Sequence, residues 1–247
     1  METSQRIRNA VSTVSQLRQA QKAQPGLQRA VGEVKRLQSR RFAGSYADLL
    51  GGGDYAAAAR FFLDELYSDR DYEKRDAQFA RIAGTIEAVF PVQVQQTAVA
   101  LAELHCLTEQ LDHAMALQWM EPALAGLAPA QRYTTAWQAV AQRGDREEQL
   151  VSVLQIGEQM AQLTRTPGLR LMLRMMRAPA SAAGMGALQA FLEAGFDTFS
   201  AMARKPGGVQ AFLGIIRQRE SELIATLFGS ELVASGTSLQ AILGQAR

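Results

Sequence analysis

The sequence predicts an all-α protein, a multi-helix bundle of about nine or ten helices that begins with a basic αα-hairpin. Three observations carry this reading. Ala, Leu, Gln, Glu and Arg dominate, while runs of Val, Ile, Thr and Tyr that would feed strands are scarce; unbranched side chains lose little rotamer freedom in a helix. Apolar residues recur at helical spacing along most of the chain. Gly, Pro and Asp fall at nearly every junction between those periodic stretches, where helices must stop. With 47% apolar residues in a chain of 247, there is ample material for a buried core, which excludes a disordered chain.

In chain order, Ile7, Val11, Val14 and Leu17 make one apolar stripe, and Leu27, Val31, Val34 and Leu37 repeat its spacing. Pro25-Gly26 lies between them, so residues 1–45 read as a helical hairpin. A loop ending in Gly51-Gly52-Gly53 follows, with Asp54 placed to cap the helix DYAAAARFFLDELY. Ser68 and Asp71 have capping-box spacing ahead of a helix from Tyr72 to Phe90, and Pro91 separates that helix from one running from Val92 to Met120. Further helices are expected from Pro129 to Arg143, Asp145 to Leu163, Pro167 to Arg177, Ser181 to Ala203 and Pro206 to Phe228. Residues 50–230 thus read as the body of the bundle. The tail, 231–247, has room for a last turn or short helix, but its Gly and Ser content favours fraying.

The net charge of +2 hides an asymmetry: residues 1–41 hold nine Lys and Arg against two Glu, whereas residues 42–150 hold eight basic against sixteen acidic side chains. The basic head can bind an acidic partner, or fold back on the chain's own acidic middle, and the second reading is preferred. The amino terminus has no apolar leader core, and no stretch has the length of a membrane span, so a soluble, cytoplasmic protein is expected. A lone Cys106 allows neither an internal disulfide nor a cysteine-rich zinc site.

The stretch AARFFLDELYSDRDYEKRDAQFARI, residues 58–82, resembles a set of proteobacterial proteins of unknown function. They share its Phe-Phe-Leu, Leu-Tyr, Arg-Asp and Gln-Phe-x-Arg features. The later FLEAGFDTFSAM and FLGIIRQRE resemble that family's second signature, so the likeness spans roughly residues 55–228. It implies an all-helical fold and no particular activity.

Candidate sites must therefore come from the residues. A nucleophile elbow, a phosphate-binding Gly-x-x-x-x-Gly-Lys loop and a dinucleotide fingerprint are all missing. The charged run Arg70, Asp71, Arg75, Asp76 and Arg81 reads first as a network tying helix ends together, and second as the wall of a polar ligand pocket. Both histidines and the cysteine lie in ALAELHCLTEQLDHAM, where His105, Glu109 and His113 form a column at i, i+4 and i+8. The two imidazoles are about 12 Å apart along the axis, which makes one helix a poor chelator, and the Glu-x-x-His pairs of di-iron bundles are absent.

The primary reading is a non-catalytic interaction protein, or one binding a small apolar molecule, with no cofactor. Phe191, Phe196, Phe199, Met202 and Phe212 are the candidate lining residues. The alternative, which leaves enzymatic activity open, is a haem- or transition-metal-dependent helical enzyme centred on His105, Glu109 and His113. A cationic, Met-rich segment, LRLMLRMMR, offers a surface for anionic lipid or a partner groove, although core helices use Met in the same way. The arginines of the head have no aromatic residue before Phe42 to stack on bases, which argues against nucleic acid.

Overall fold

The computed structural model describes residues 2–229 and 231–246, and among them there is no strand. Thirteen α-helices follow one another: α1 (Thr3–Ala23), α2 (Pro25–Ser45), α3 (Ala47–Leu50), α4 (Ala56–Glu65), α5 (Glu73–Val89), α6 (Val92–Trp119), α7 (Pro129–Val140), α8 (Arg143–Leu163), α9 (Leu169–Met175), α10 (Arg177–Ala182), α11 (Gly186–Met202), α12 (Gly208–Leu227) and α13 (Leu232–Gln245). A 3-10 turn, Pro122–Leu124, lies between α6 and α7, and all these elements are counted among the described residues.

The all-helical class holds, but the helices outnumber the predicted nine or ten. Two of the unforeseen ones are too short for periodicity to register: α3 has four residues and α10 has six. The helix predicted from Pro167 to Arg177 instead starts after Gly168, which takes a positive φ of 77°, and yields to α10 at Arg177. Pro179 is tolerated there because it sits in the first turn, where its missing N–H goes unused. Gly184, with φ of 69°, then separates α10 from α11.

The third additional helix is α13, fourteen residues long, which corrects the preference for a frayed tail over a short helix. Leu239 and Leu243 are buried in the same cluster as Leu27, Val34 and Trp137. The approach of α13 to α2 is so close that a Cβ on Gly44 would lie 2.0 Å from the Ile242 carbonyl oxygen. Only glycine fits there.

Two expected caps are also absent: one side chain is taken by a distant partner, the other by a neighbouring hydroxyl. Asp54 pairs with Lys205 at 3.1 Å, and α4 starts at Ala56 without a side-chain cap. The Ser68 hydroxyl meets the Tyr72 hydroxyl at 2.5 Å, while Asp71 receives the Glu73 amide at 2.8 Å.

Three apolar clusters organise the packing. One joins α2, α6, α7, α12 and α13; a second joins the end of α2 to α4, α8, α11 and α12; a third joins α1, α5 and α6. Helix α6 serves two of these and packs against α1, α2, α7 and α8, so it has no broad solvent face. The basic head meets the acidic middle within the chain: Arg6 pairs with Glu103 at 2.7 Å, Lys22 with Glu73 at 2.6 Å and Arg18 with Asp76 at 2.8 Å. The first two pairs are about half exposed and contribute orientation more than stability; the third is buried.

Candidate functional site

Where the clusters meet, the packing leaves a cavity of about 140 Å³. A cavity of roughly 150 Å³ accommodates a benzene-sized guest, so this volume suits a small organic molecule. A second, apolar crevice of about 60 Å³ adjoins it, sharing Leu66, Leu101, Leu104, Val153, Phe191 and Leu192 as wall.

The larger cavity is lined by an unusual number of charged side chains, and the sequence explains how they arrive there. In α2 the stripe Leu27, Val31, Val34, Leu37 continues at helical spacing to Arg41. In α12 Glu220 occupies the position between Ile216 and Leu223 on the buried side. In α6 the inward column runs Ala102, half-buried His105, then buried Glu109, Asp112 and Ala116, apolar at both ends and polar in the middle. Arg146 stands one turn before Leu150 and two before Val153 on the inner side of α8. Each charged residue therefore holds a position that helical periodicity reserves for the core.

Most of these groups are neutralised in place. Arg41 donates to Glu220 at 2.6 Å, and the Tyr46 hydroxyl donates to the same oxygen at 2.9 Å. Lys35 reaches Glu109 at 2.6 Å, with Arg18 behind it at 3.5 Å. Burial works against ionisation of Glu109, but Lys35 outweighs it and keeps the carboxyl below its ordinary range. Asp76 is likewise opposed by burial and held low by His105 Nε2 at 2.8 Å, with Arg18 and Arg75 in support. Arg75 pairs with Glu65 at 3.3 Å and lies over the rings of Tyr72 and Phe191. Asp112 has only the Gln38 amide, at 2.9 Å, and burial pushes its carboxyl up.

Some atoms are left over. Among the described residues, four buried side-chain polar atoms have no hydrogen-bond partner: Glu109 Oε2, Trp137 Nε1, Arg146 Nη2 and Gln159 Oε1. The first three belong to side chains that line the larger cavity. Their residues are only 3%, 6% and 6% exposed. A buried polar group without a partner costs about 1–3 kcal/mol, more when charged, so three on side chains that line one cavity amount to an unfinished hydrogen-bond set.

The sequence-predicted residues divide. Phe191 lines both spaces and Phe199 lines the smaller one, whereas Phe196, Met202 and Phe212 are buried and line neither. Phe212 and Met202 pack in the second apolar cluster. The structure does not bring His105, Glu109 and His113 together: His105 is engaged by Asp76, Glu109 by Lys35, and His113 Nδ1 lies 3.4 Å from the Gln21 amide. No group of three or more His, Cys, Asp or Glu side chains has metal-site geometry among the described residues. Of the charged run, Arg75 and Asp76 reach the cavity, and Arg81 instead donates to the Ala183 carbonyl. The sequence reasoning missed Lys35, Arg41, Arg146 and Glu220. Their signal was a charged residue interrupting an apolar stripe.

Fold and site together define a class: an all-helical protein with a charged cavity between its helices. The chain belongs to the family described as a domain of unknown function, DUF8198, whose sequence profile matches residues 17–233. The match takes in most of the basic head, which the resemblance read from the sequence had left outside. Searches of curated proteins and of solved structures found no match. No helix among the described residues is long and apolar enough to cross a membrane.

Proposed function

We propose that this protein binds a small organic molecule in the larger cavity, without acting on it chemically. The observation that supports the reading most is that three side chains lining one cavity, Glu109, Trp137 and Arg146, each carry a buried polar atom without a partner. A packed core has no use for such atoms, because each could be replaced by an apolar group of similar shape at a gain in stability. A ligand that supplied an acceptor to Arg146 and Trp137, or a donor to Glu109, would complete the set. The ligand expected from the sequence was apolar; these atoms favour one with a polar end, and the neighbouring Phe191 and Phe199 crevice suits an apolar remainder.

The test is a thermal-shift screen of small organic molecules against the wild type and against Ala102→Phe, which puts a ring into the cavity from α6. Compounds that stabilise the wild type and leave the filled variant unmoved support the reading. A screen whose every hit stabilises both proteins equally overturns it, as does a screen with no hit.

A further inference from the structure

We infer that the cavity selects an organic acid, a small monocarboxylate with a short apolar tail, and that Arg146 receives its carboxylate. The inference rests on the binding reading above and adds the charge of the ligand.

Every other cation lining the cavity already has a carboxylate. Lys35 holds Glu109, Arg41 holds Glu220 and Arg75 holds Glu65. Arg146 has none within 4.0 Å among the described residues. Its Nη1 meets only the amide oxygen of Gln149 at 3.3 Å, its Nη2 meets nothing, and its guanidinium lies 4.1 Å from the centre of the Trp137 ring. A guanidinium that is 6% exposed and unpaired is costly, since water has been removed and no counter-charge replaces it. Asp112 and Tyr133 attract it only at longer range, beyond ion-pair distance.

The site also has the donors for one carboxylate group. Arg146 Nη2 and Trp137 Nε1 both carry unused N–H groups, and both side chains line the same cavity. Both atoms are covered by protein, so an anion entering the cavity reaches them when the Arg146 guanidinium turns towards it, and then gains a charge-assisted hydrogen bond where the dielectric is low. Glu109 does not forbid this, because Lys35 and Arg18 neutralise it; its free oxygen acts as a hydrogen-bond acceptor. The shared wall at Phe191 and Leu192 gives the tail an apolar exit into the smaller crevice.

The experiment compares hexanoate and benzoate with their neutral, isosteric amides, by calorimetry and by the two indole N–H resonances of the full chain. The acids are expected to bind about tenfold or more tightly than the amides, as loss of a charged hydrogen bond implies. The Trp137 indole resonance should move on adding acid. That of Trp119, whose N–H is already bonded to Glu33 at 2.8 Å, should stay. Arg146→Met should abolish the preference for acid over amide; should that variant not fold, the acid-to-amide ratio of the wild type still decides. Equal binding of acid and amide, or an acid that leaves the Trp137 resonance in place, overturns the inference and leaves the binding reading standing. Failure of all four probes to bind overturns the inference; the thermal-shift screen decides the binding reading separately.

Discussion

Trp119 and Trp137 lie in the same apolar cluster, each beneath an arginine, and only one of the two arrangements is complete. Arg132 sits 4.3 Å from the Trp119 ring and donates from Nε to the Trp119 carbonyl at 3.1 Å, while the Trp119 indole donates to Glu33 at 2.8 Å. Arg146 sits 4.1 Å from the Trp137 ring, and there both the indole N–H and Nη2 find no partner. The stacking distances are nearly equal, so stacking does not force the missing bonds. What differs is the surroundings: Arg132 is half-buried, and Arg146 is buried in the wall of the cavity.

The contrast can be broken most severely at Arg41. Glu220→Ala would leave Arg41 buried without its carboxylate and the Tyr46 hydroxyl without its acceptor, turning a finished pair into a second Arg146. A loss of about 3–5 kcal/mol is expected from urea unfolding; a loss below about 1 kcal/mol would mean that the protein tolerates a lone buried guanidinium cheaply. Arg146→Met should act in the opposite direction, raising stability by about 1 kcal/mol by removing an unpaired charge and keeping most of the stacking volume. If it destabilises instead, Arg146 is held by attractions that its neighbours do not reveal.

Glu33→Ala would make Trp119 resemble Trp137 and should cost about 1 kcal/mol, since Glu33 is half-buried and water can replace it in part. The smallest effect lies in pH dependence. Asp112, pushed up by burial, holds its proton more tightly folded than unfolded, so stability falls as pH rises from 3.8 towards the raised folded value. Asp76 works the other way: its contribution is complete above 3.8 and is lost as pH falls through its lowered folded value. Asp112→Asn should flatten the upper stretch and leave the lower one, as urea midpoints between about pH 3 and 7 would register.

How much of this was legible follows from what is local and what is not. The stripes on α1 and α2 were readable because burial repeats with the helix: Ile7, Val14, Leu27 and Val34 are all buried. Val11, on the same stripe as Ile7, is only half-buried because it lines the cavity, a departure that no single-helix pattern could foresee. The caps failed at Asp54 because its partner, Lys205, lies far along the chain. The site was hidden for a related reason. Glu109 on α6 looked like a solvated flank, and only the arrival of α1, α2 and α8 makes that flank an interior. Charged interruptions of apolar stripes at Arg41, Glu220 and Arg146 were visible, but their pairing required the assembled bundle.

The contact between Gly44 and Ile242 bears on biosynthesis. The greasy side of α2 emerges from the ribosome early, yet its cover, Leu239 and Leu243, is translated last among the elements that seal it. At about 5–20 residues per second, the intervening stretch takes roughly 10–40 s to make. For that interval α6 and α7 can already pack on α2, but the strip that α13 covers stays open until translation has passed residue 243.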